Sequence, residues 1–243
     1  MSIIVVDRAG ASLTGNVRRH NEDSYLIREP LFMVADGMGG ARAGEIASRM
    51  VADEFARLDL THCRGEDALR EVVTRANLRI NEYAQTELEV AGMGATVAVA
   101  LVDKDDEQIA FAHVGDSRAY LLRNGVLRVL SQDHSLVAEL VRMGHLSEQQ
   151  ARHHPQRAVI TRALGVAPEV RVDTFAIQAC AGDVVLLCTD GLSSMVDDAT
   201  TKQLMESACD AASMVDGLTR AALGNGGEDN VTTVVFRLDK EIA

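Results

Sequence analysis

Short apolar runs rich in branched residues recur along the chain, and four of them have the length of buried strands: Leu31 to Ala35, Ile109 to Val114, Val184 to Thr189 and Val231 to Phe236. Ile3 to Arg8, Ser24 to Arg28, Ala95 to Val102, Arg118 to Leu122, Val126 to Leu130 and Arg171 to Ile177 read as further strands. Glu29-Pro30 and Asn124-Gly125 fall between consecutive strands as tight hairpin turns. A helical period replaces the strand pattern in three places. Ala43 to Leu58 carries Ile46, Met50, Val51, Phe55 and Leu58 on one face; Glu66 to Glu89 carries Leu69, Val72, Val73, Ala76, Ile80 and Tyr83; a helical pair follows between Asp197 and Leu223. Residues 131–167 are polar and irregular, with a helix near Leu136 to Met143, a helix start at Ser147-Glu148 and a break at His153-His154-Pro155, which predicts a mobile flap. Grouped strands joined by hairpins, with helices in pairs, predict antiparallel sheets with helices stacked outside, an α+β sandwich.

The apolar runs end on acids. Asp36-Gly37, Asp116-Ser117 and Asp190-Gly191 follow strands, Asp229-Asn230 precedes one, and Glu22-Asp23 is a fifth acidic knot. Taken singly, each is an ordinary turn sequence. Taken together, they place acids at strand ends, where they repel each other unless a positive charge sits among them. An all-oxygen set suits hard cations such as Mg²⁺ or Mn²⁺ better than zinc or copper.

Composition narrows the possibilities. The 243 residues contain only 3 prolines and no glycine-rich tract, so nothing marks a linker, and one domain over 1–243 is expected. A formal charge of -12 argues against a nucleic-acid surface, and two bound divalent cations would offset four of those charges. Aromatic residues make up 3% of the chain, too few for base-stacking platforms. The four cysteines show no Cys-x-x-Cys spacing, the N-terminus lacks a signal-peptide pattern, and the longest apolar stretch, Thr96 to Val102, is far short of the ~20 residues that span a bilayer. A cytoplasmic protein without a membrane segment is expected.

Arg18-Arg19-His20-Asn21-Glu22-Asp23, Asp36-Gly37-Met38-Gly39-Gly40, Gly92-Met93-Gly94-Ala95-Thr96, Gly115-Asp116-Ser117-Arg118, Thr189-Asp190-Gly191 and Glu228-Asp229-Asn230 occur in an ordered series. In order and spacing this series resembles the metal-dependent protein phosphatase 2C family, bacterial type, from about Gly15 to Phe236. The resemblance implies a four-layer α-β-β-α sandwich and hydrolysis of phosphoserine and phosphothreonine in proteins, opposing a bacterial Ser/Thr kinase. It implies that Asp36 bridges two Mg²⁺ or Mn²⁺ ions, with the Gly37 carbonyl and Glu22 on one side and Asp190 and Asp229 on the other. Asp116 would share a third, weaker ion with Asp190. Two cations ~3.5–4 Å apart bind a bridging water, lower its pKa and aim it at phosphorus. Asp23 would accept a hydrogen bond from that water, and Arg18 would hold phosphate oxygens through its planar fork. A monomer is expected. Animal members carry a histidine where this chain has Met38, so the leaving-group proton would come from a metal-bound water or from His20.

Other candidates have plainer readings. His113 reads as a hydrogen-bonded core histidine, His153-His154 as a polar turn, and Asp133-His134-Ser135 as a helix opening. Gly92-Met93-Gly94 precedes a strand and so is no phosphate cradle, and Ser117 and Ser193 lack a base that would make either a nucleophile. Two other functions compete: a degenerate member that binds phosphoproteins without hydrolysis, and a hydrolase of small phosphate esters. The presence of Glu22, Asp36, Asp190 and Asp229 speaks against the first.

Overall fold

The structure, a computed structural model, describes residues 2–39, 43–61, 63–86 and 88–241. Gly40 of the second motif and Glu87 of the second predicted helix lie outside the described residues. In chain order the elements are β1 (Ile3–Leu13), β2 (Asp23–Arg28), β3 (Leu31–Met38), α1 (Ala43–Ala56), α2 (Gly65–Ala84), β4 (Gly94–Ala95), β5 (Val97–Asp103), β6 (Gln108–Val114), β7 (Arg118–Arg123), β8 (Val126–Val129), α3 (Leu136–Arg142), α4 (Glu148–Arg152), β9 (Asp173–Gln178), β10 (Val184–Cys188), α5 (Asp190–Ser193), α6 (Asp198–Ser207), α7 (Ala211–Gly224) and β11 (Val231–Lys240).

Two antiparallel sheets result, one in the order β1-β11-β10-β7-β8 and the other β2-β3-β5-β6-β9 with β4 beside β3. Strand alternation splits the side chains between three cores. Phe32, Val34, Phe111, Val185, Leu187, Val234 and Phe236 face inward between the sheets, where Phe32 stacks on Phe236 at 4.1 Å. Leu31, Met33, Val97, Val99 and Leu101 point outward instead and pack against Val51 and Phe55 of α1 and Leu69, Val73 and Ile80 of α2. On the far side Leu186, Val231 and Val235 meet Met205 of α6 and Met214, Val215 and Leu218 of α7. These three cores make four layers, α-β-β-α, as the resemblance implies. Among the described residues no helix is long and apolar enough to cross a membrane.

The hairpin signals hold. Arg28 pairs with Leu31 and Arg123 with Val126, and Asn124 and Gly125 take φ of 52° and 70° between β7 and β8. Some boundaries differ. β1 runs on from Arg8 to Leu13 because pairing with β11 continues through Leu13 and Val231, although Gly10 and Ser12 offer little strand propensity. α2 stops at Ala84, not Glu89: the Gln85 and Thr86 amides bond back to Glu82 and Tyr83, ending the apolar stripe, and Leu88–Val90 forms a separate 3-10 turn. Tyr83 lies 41% exposed, off the predicted face. Its place is taken by the buried amides of Asn77 and Asn81, which satisfy the backbone of Gly165, Ala167 and Pro168 where the flap returns to the body.

One buried charge ties α1 to α2. Glu54 is 6% exposed and is gripped by Arg75 at 2.7 Å and by Arg79, so its carboxyl is held below the usual range even though burial opposes this. A depressed folded pKa contributes stability above the unfolded value of about 4.5 and loses it as pH falls through the folded value. Glu54→Gln is therefore expected to lower unfolding free energy by roughly 2 kcal/mol at pH 7, with the gap from wild type closing below about pH 4.5, as measured by urea denaturation across pH.

Candidate metal centre

β2 and β11 begin, and β3, β6 and β10 end, at one edge of the sandwich, and all five acidic knots lie there, Asp23 and Asp36 within the ends of β2 and β3 and the other acids in or beside the connections. Asp23 and Asp36 are register partners across β2 and β3. Asp116 lies in the turn from β6 to β7, Asp190 opens α5 directly after β10, and Asp229 immediately precedes Asn230 and β11. The acids predicted from sequence are thus neighbours in space.

Their surroundings are short of positive charge. Burial pushes the Asp23 carboxyl up to about 7, although hydroxyls of Thr232 and Thr189 donate to its Oδ2 at 2.6 and 2.9 Å. Burial likewise raises Asp116 to about 8, with Asp190 adding repulsion. Asp36 is raised well above the ordinary range by desolvation and then by Asp23, Asp190, Asp116 and Asp229. Asp190 is raised by desolvation and by Asp229, against a hydrogen bond shared with Asp36. Among the described residues Arg18 reaches into the group, donating from Nη2 to Asp229 Oδ2 at 2.6 Å.

The fit to divalent cations can be judged from the oxygen atoms. Asp23 Oδ1, Asp116 Oδ1 and Asp190 Oδ1 are buried and have no hydrogen-bond partner among the described residues. Such atoms cost free energy unless a donor or cation reaches them. A Cβ added at Gly44 would lie 2.7 Å from the Gly37 carbonyl oxygen and 2.8 Å from Glu22 Cδ, so that carbonyl and that carboxyl stand together beneath the start of α1. Among the described residues no three or more His, Cys, Asp or Glu side chains are placed, as they stand, to hold one metal ion together. The all-oxygen donors, their unpartnered atoms and their mutual repulsion nonetheless fit hard divalent cations, which would draw the side chains inward.

Glycine is required at 37 by close approach. A Cβ there would fall 2.0 Å from the Gly44 carbonyl oxygen and 2.6 Å from that of Glu22, whose carbonyl accepts the Gly37 amide at 3.1 Å. Asn230 braces the same corner: its Oδ1 accepts from the Glu22 amide at 2.8 Å, while its Nδ2 donates to Thr14 and His20 carbonyls. Thr96 and Ser117, joined at 2.7 Å, support the other side, with Thr96 Oγ1 accepting from the Asp36 amide.

The discounted residues sit as their plainer readings expect. His113 is buried with its pKa lowered to about 4 by burial, and its Nε2 donates to the Ser117 carbonyl. His154 accepts the Gln156 amide in an exposed turn, and His20 is exposed. Met93 is buried beside β4. Ser135 does cap α3, but its two neighbours do more than open a helix. Asp133 receives the Arg118 guanidinium through Nε and Nη2, and His134 is bonded on both ring nitrogens. The threonines that hold Asp23 were not singled out as site residues either; Thr189 adjoins a predicted ligand, but Thr232 lies three residues past Asp229 and carries no signal of its own.

A family model described as protein phosphatase 2C matches residues 19–225. The chain is 40% identical over 236 residues to the serine/threonine phosphatase stp of Listeria monocytogenes, covering 93% of each protein. Its fold is similar to the crystal structure of the Mycobacterium tuberculosis serine/threonine phosphatase PstP/Ppp, with a TM-score of 0.91, 37% identity and coverage of 99% of this chain and 100% of that one. A structure of the catalytic domain of PstP in complex with two manganese ions gives a TM-score of 0.89 at 35% identity, covering 98% and 99% of the two chains.

Gly37→Ala is expected to cost roughly 1–3 kcal/mol of stability, because neither overlapping carbonyl belongs to a flexible side chain. A thermal melt unchanged from wild type would contradict the close packing described for this corner.

Proposed function

The chain belongs to the protein phosphatase 2C family, and on that premise we propose that it hydrolyses phosphoserine and phosphothreonine in proteins with Mg²⁺ or Mn²⁺, acting as a single catalytic domain. The observation that carries this reading is the convergence of Glu22, Asp23, Asp36, Asp116, Asp190 and Asp229 at one edge of the sandwich, where Oδ1 of Asp23, Asp116 and Asp190 lacks a partner among the described residues. In the proposed assignment Asp36, the Gly37 carbonyl and Glu22 would hold one ion, and Asp36 with Asp190 and Asp229 would hold a second. Asp116 with Asp190 would hold a weaker third ion. The bound ions supply Lewis acidity and a nucleophile usable at neutral pH.

The chain's own groups bind and orient the ester. Arg18 is half-exposed, and its guanidinium offers further N–H donors beside the one given to Asp229, so it presents a planar fork to phosphate oxygens. Asp23 Oδ2 is committed to two threonine hydroxyls, which leaves Oδ1 to accept a hydrogen bond from water within the cluster. Met38 donates no proton, and His20 stands exposed in the loop before Glu22. Phosphorylated proteins are the proposed substrates, with a cognate Ser/Thr kinase supplying them. The four free cysteines, two of them buried, support a reducing cytoplasmic setting, and a monomer is the proposed state.

Phosphate release from a phosphothreonine peptide is expected to depend on added Mn²⁺ or Mg²⁺ and to fall below about 1% of wild type in Asp190→Ala. Metal-independent release, or full activity in that variant, would refute the assignment. Arg18→Ala is expected to raise KM for the peptide roughly tenfold, the change that loss of a charge-assisted hydrogen bond brings; steady-state kinetics at saturating metal measures it.

A further inference from the structure

Asp116 sits in a turn whose first residue, Gly115, has both of its backbone polar groups held by one residue of the flap root. His134 Nδ1 accepts the Gly115 amide at 3.0 Å, and the His134 amide donates to the Gly115 carbonyl at 2.8 Å. Because Gly115 N–H is a donor, Nδ1 is the unprotonated nitrogen; the ring proton is then on Nε2, where Asp173 Oδ2 accepts it at 3.0 Å. A single tautomer satisfies both bonds. The ring is 3% exposed and lies against His113 at 4.8 Å, so it cannot swing. The same residue meets the returning limb of the flap: its carbonyl accepts from the Thr161 amide at 2.8 Å, the neighbouring Ser135 bridges to Ile160, and Asp173 also receives Arg162 at 2.7 Å.

Gly115 has little freedom of its own. Its φ is +107°, and a Cβ there would fall 2.5 Å from Thr96 Cβ, so the turn is wedged against Thr96 on one side and hung from His134 on the other. We propose that His134 is a positioning residue: its side chain, locked by Asp173, holds the Gly115 amide and thereby sets where the Asp116 carboxylate stands relative to Asp190. This inference rests on the role proposed above for Asp116.

The side chain can be tested apart from the backbone. Glutamine at 134 keeps an amide nitrogen to reach Asp173 but places no acceptor at the Nδ1 position, whereas asparagine puts an oxygen there. His134→Gln is expected to lower kcat about tenfold with KM within about twofold, and to speed exchange of the Gly115 amide about tenfold in the metal-free protein, as read by NMR. His134→Asn is expected to restore both to within about threefold of wild type. The double variant Asp116→Ala/His134→Gln is expected to turn over no more slowly than Asp116→Ala alone, since the second change acts through the first. Multiplying effects in the double variant, equal losses in the glutamine and asparagine variants, or unchanged Gly115 exchange would each overturn the proposal. If the wild type released no phosphate at all, the phosphatase reading would fall, and the exchange comparison would still decide the role of His134. Should His134→Gln not fold, Asp173→Ala removes the ring's acceptor together with the Arg162 contact but leaves the imidazole in place, and is expected to show the same pattern at about threefold, with Arg162→Ala as the control that leaves Gly115 exchange unchanged; no change in Gly115 exchange in Asp173→Ala would equally overturn the proposal.

Discussion

Carboxylates crowded at one edge of a sandwich repel one another, and nearly every local feature of that edge restrains or relieves this repulsion. Antiparallel pairing brings the knots together, because strands running in opposite directions alternately end and begin at the same edge. The backbone there is then held from outside the acids: Asn230 fastens Glu22, Thr96 fastens Asp36, and Thr189 and Thr232 fasten Asp23. Hydroxyl and amide groups serve because they accept from backbone amides and donate to a carboxylate without adding charge, leaving the deficit of positive charge for ions to meet. The hydrophobic layers beneath are the rigid support on which this depends, since a site of fixed oxygens needs elements that do not yield.

The fold was legible where one physical signal dominated. Alternation and aliphatic runs identified the central strands, and Asn124-Gly125 identified a hairpin whose φ values only such residues adopt readily. Boundaries slipped where tertiary pairing outweighed local preference. The polar half of β1 is a strand because β11 lies beside it, and nothing within Ala9 to Leu13 says so. In α2 the helical period was right and the identity of the buried face partly wrong. Asn77 and Asn81 enter the core because the loop at Gly165 brings backbone groups that need partners, a demand visible only once the chain has folded.

The acids themselves were legible because each sits at a strand end beside a turn residue. Their supports were not, since a threonine within a strand carries no local mark distinguishing a hydroxyl aimed at a carboxylate from one aimed at water. The Asp133-His134-Ser135 segment shows the same limit: Ser135 caps α3 as local chemistry suggests, while Asp133 and His134 bond to Arg118 and Gly115, both distant in sequence.

The ion pair between Arg18 and Asp229 has a thermodynamic side. An arginine that neutralises an acid of the cluster stands as an internal counter-ion, in the charge balance of a site that also attracts cations. With Asp229 holding a cation as proposed, cation and guanidinium would compete for one carboxylate, and whatever frees the guanidinium would make it available to an anion. By reciprocity, an anion that took Arg18 from Asp229 would tighten cation binding by the factor by which the cation tightens its own. On the proposed roles the two kinds of guest, opposite in sign, would be coupled through a single side chain, and an affinity for either would have meaning only at a stated concentration of the other.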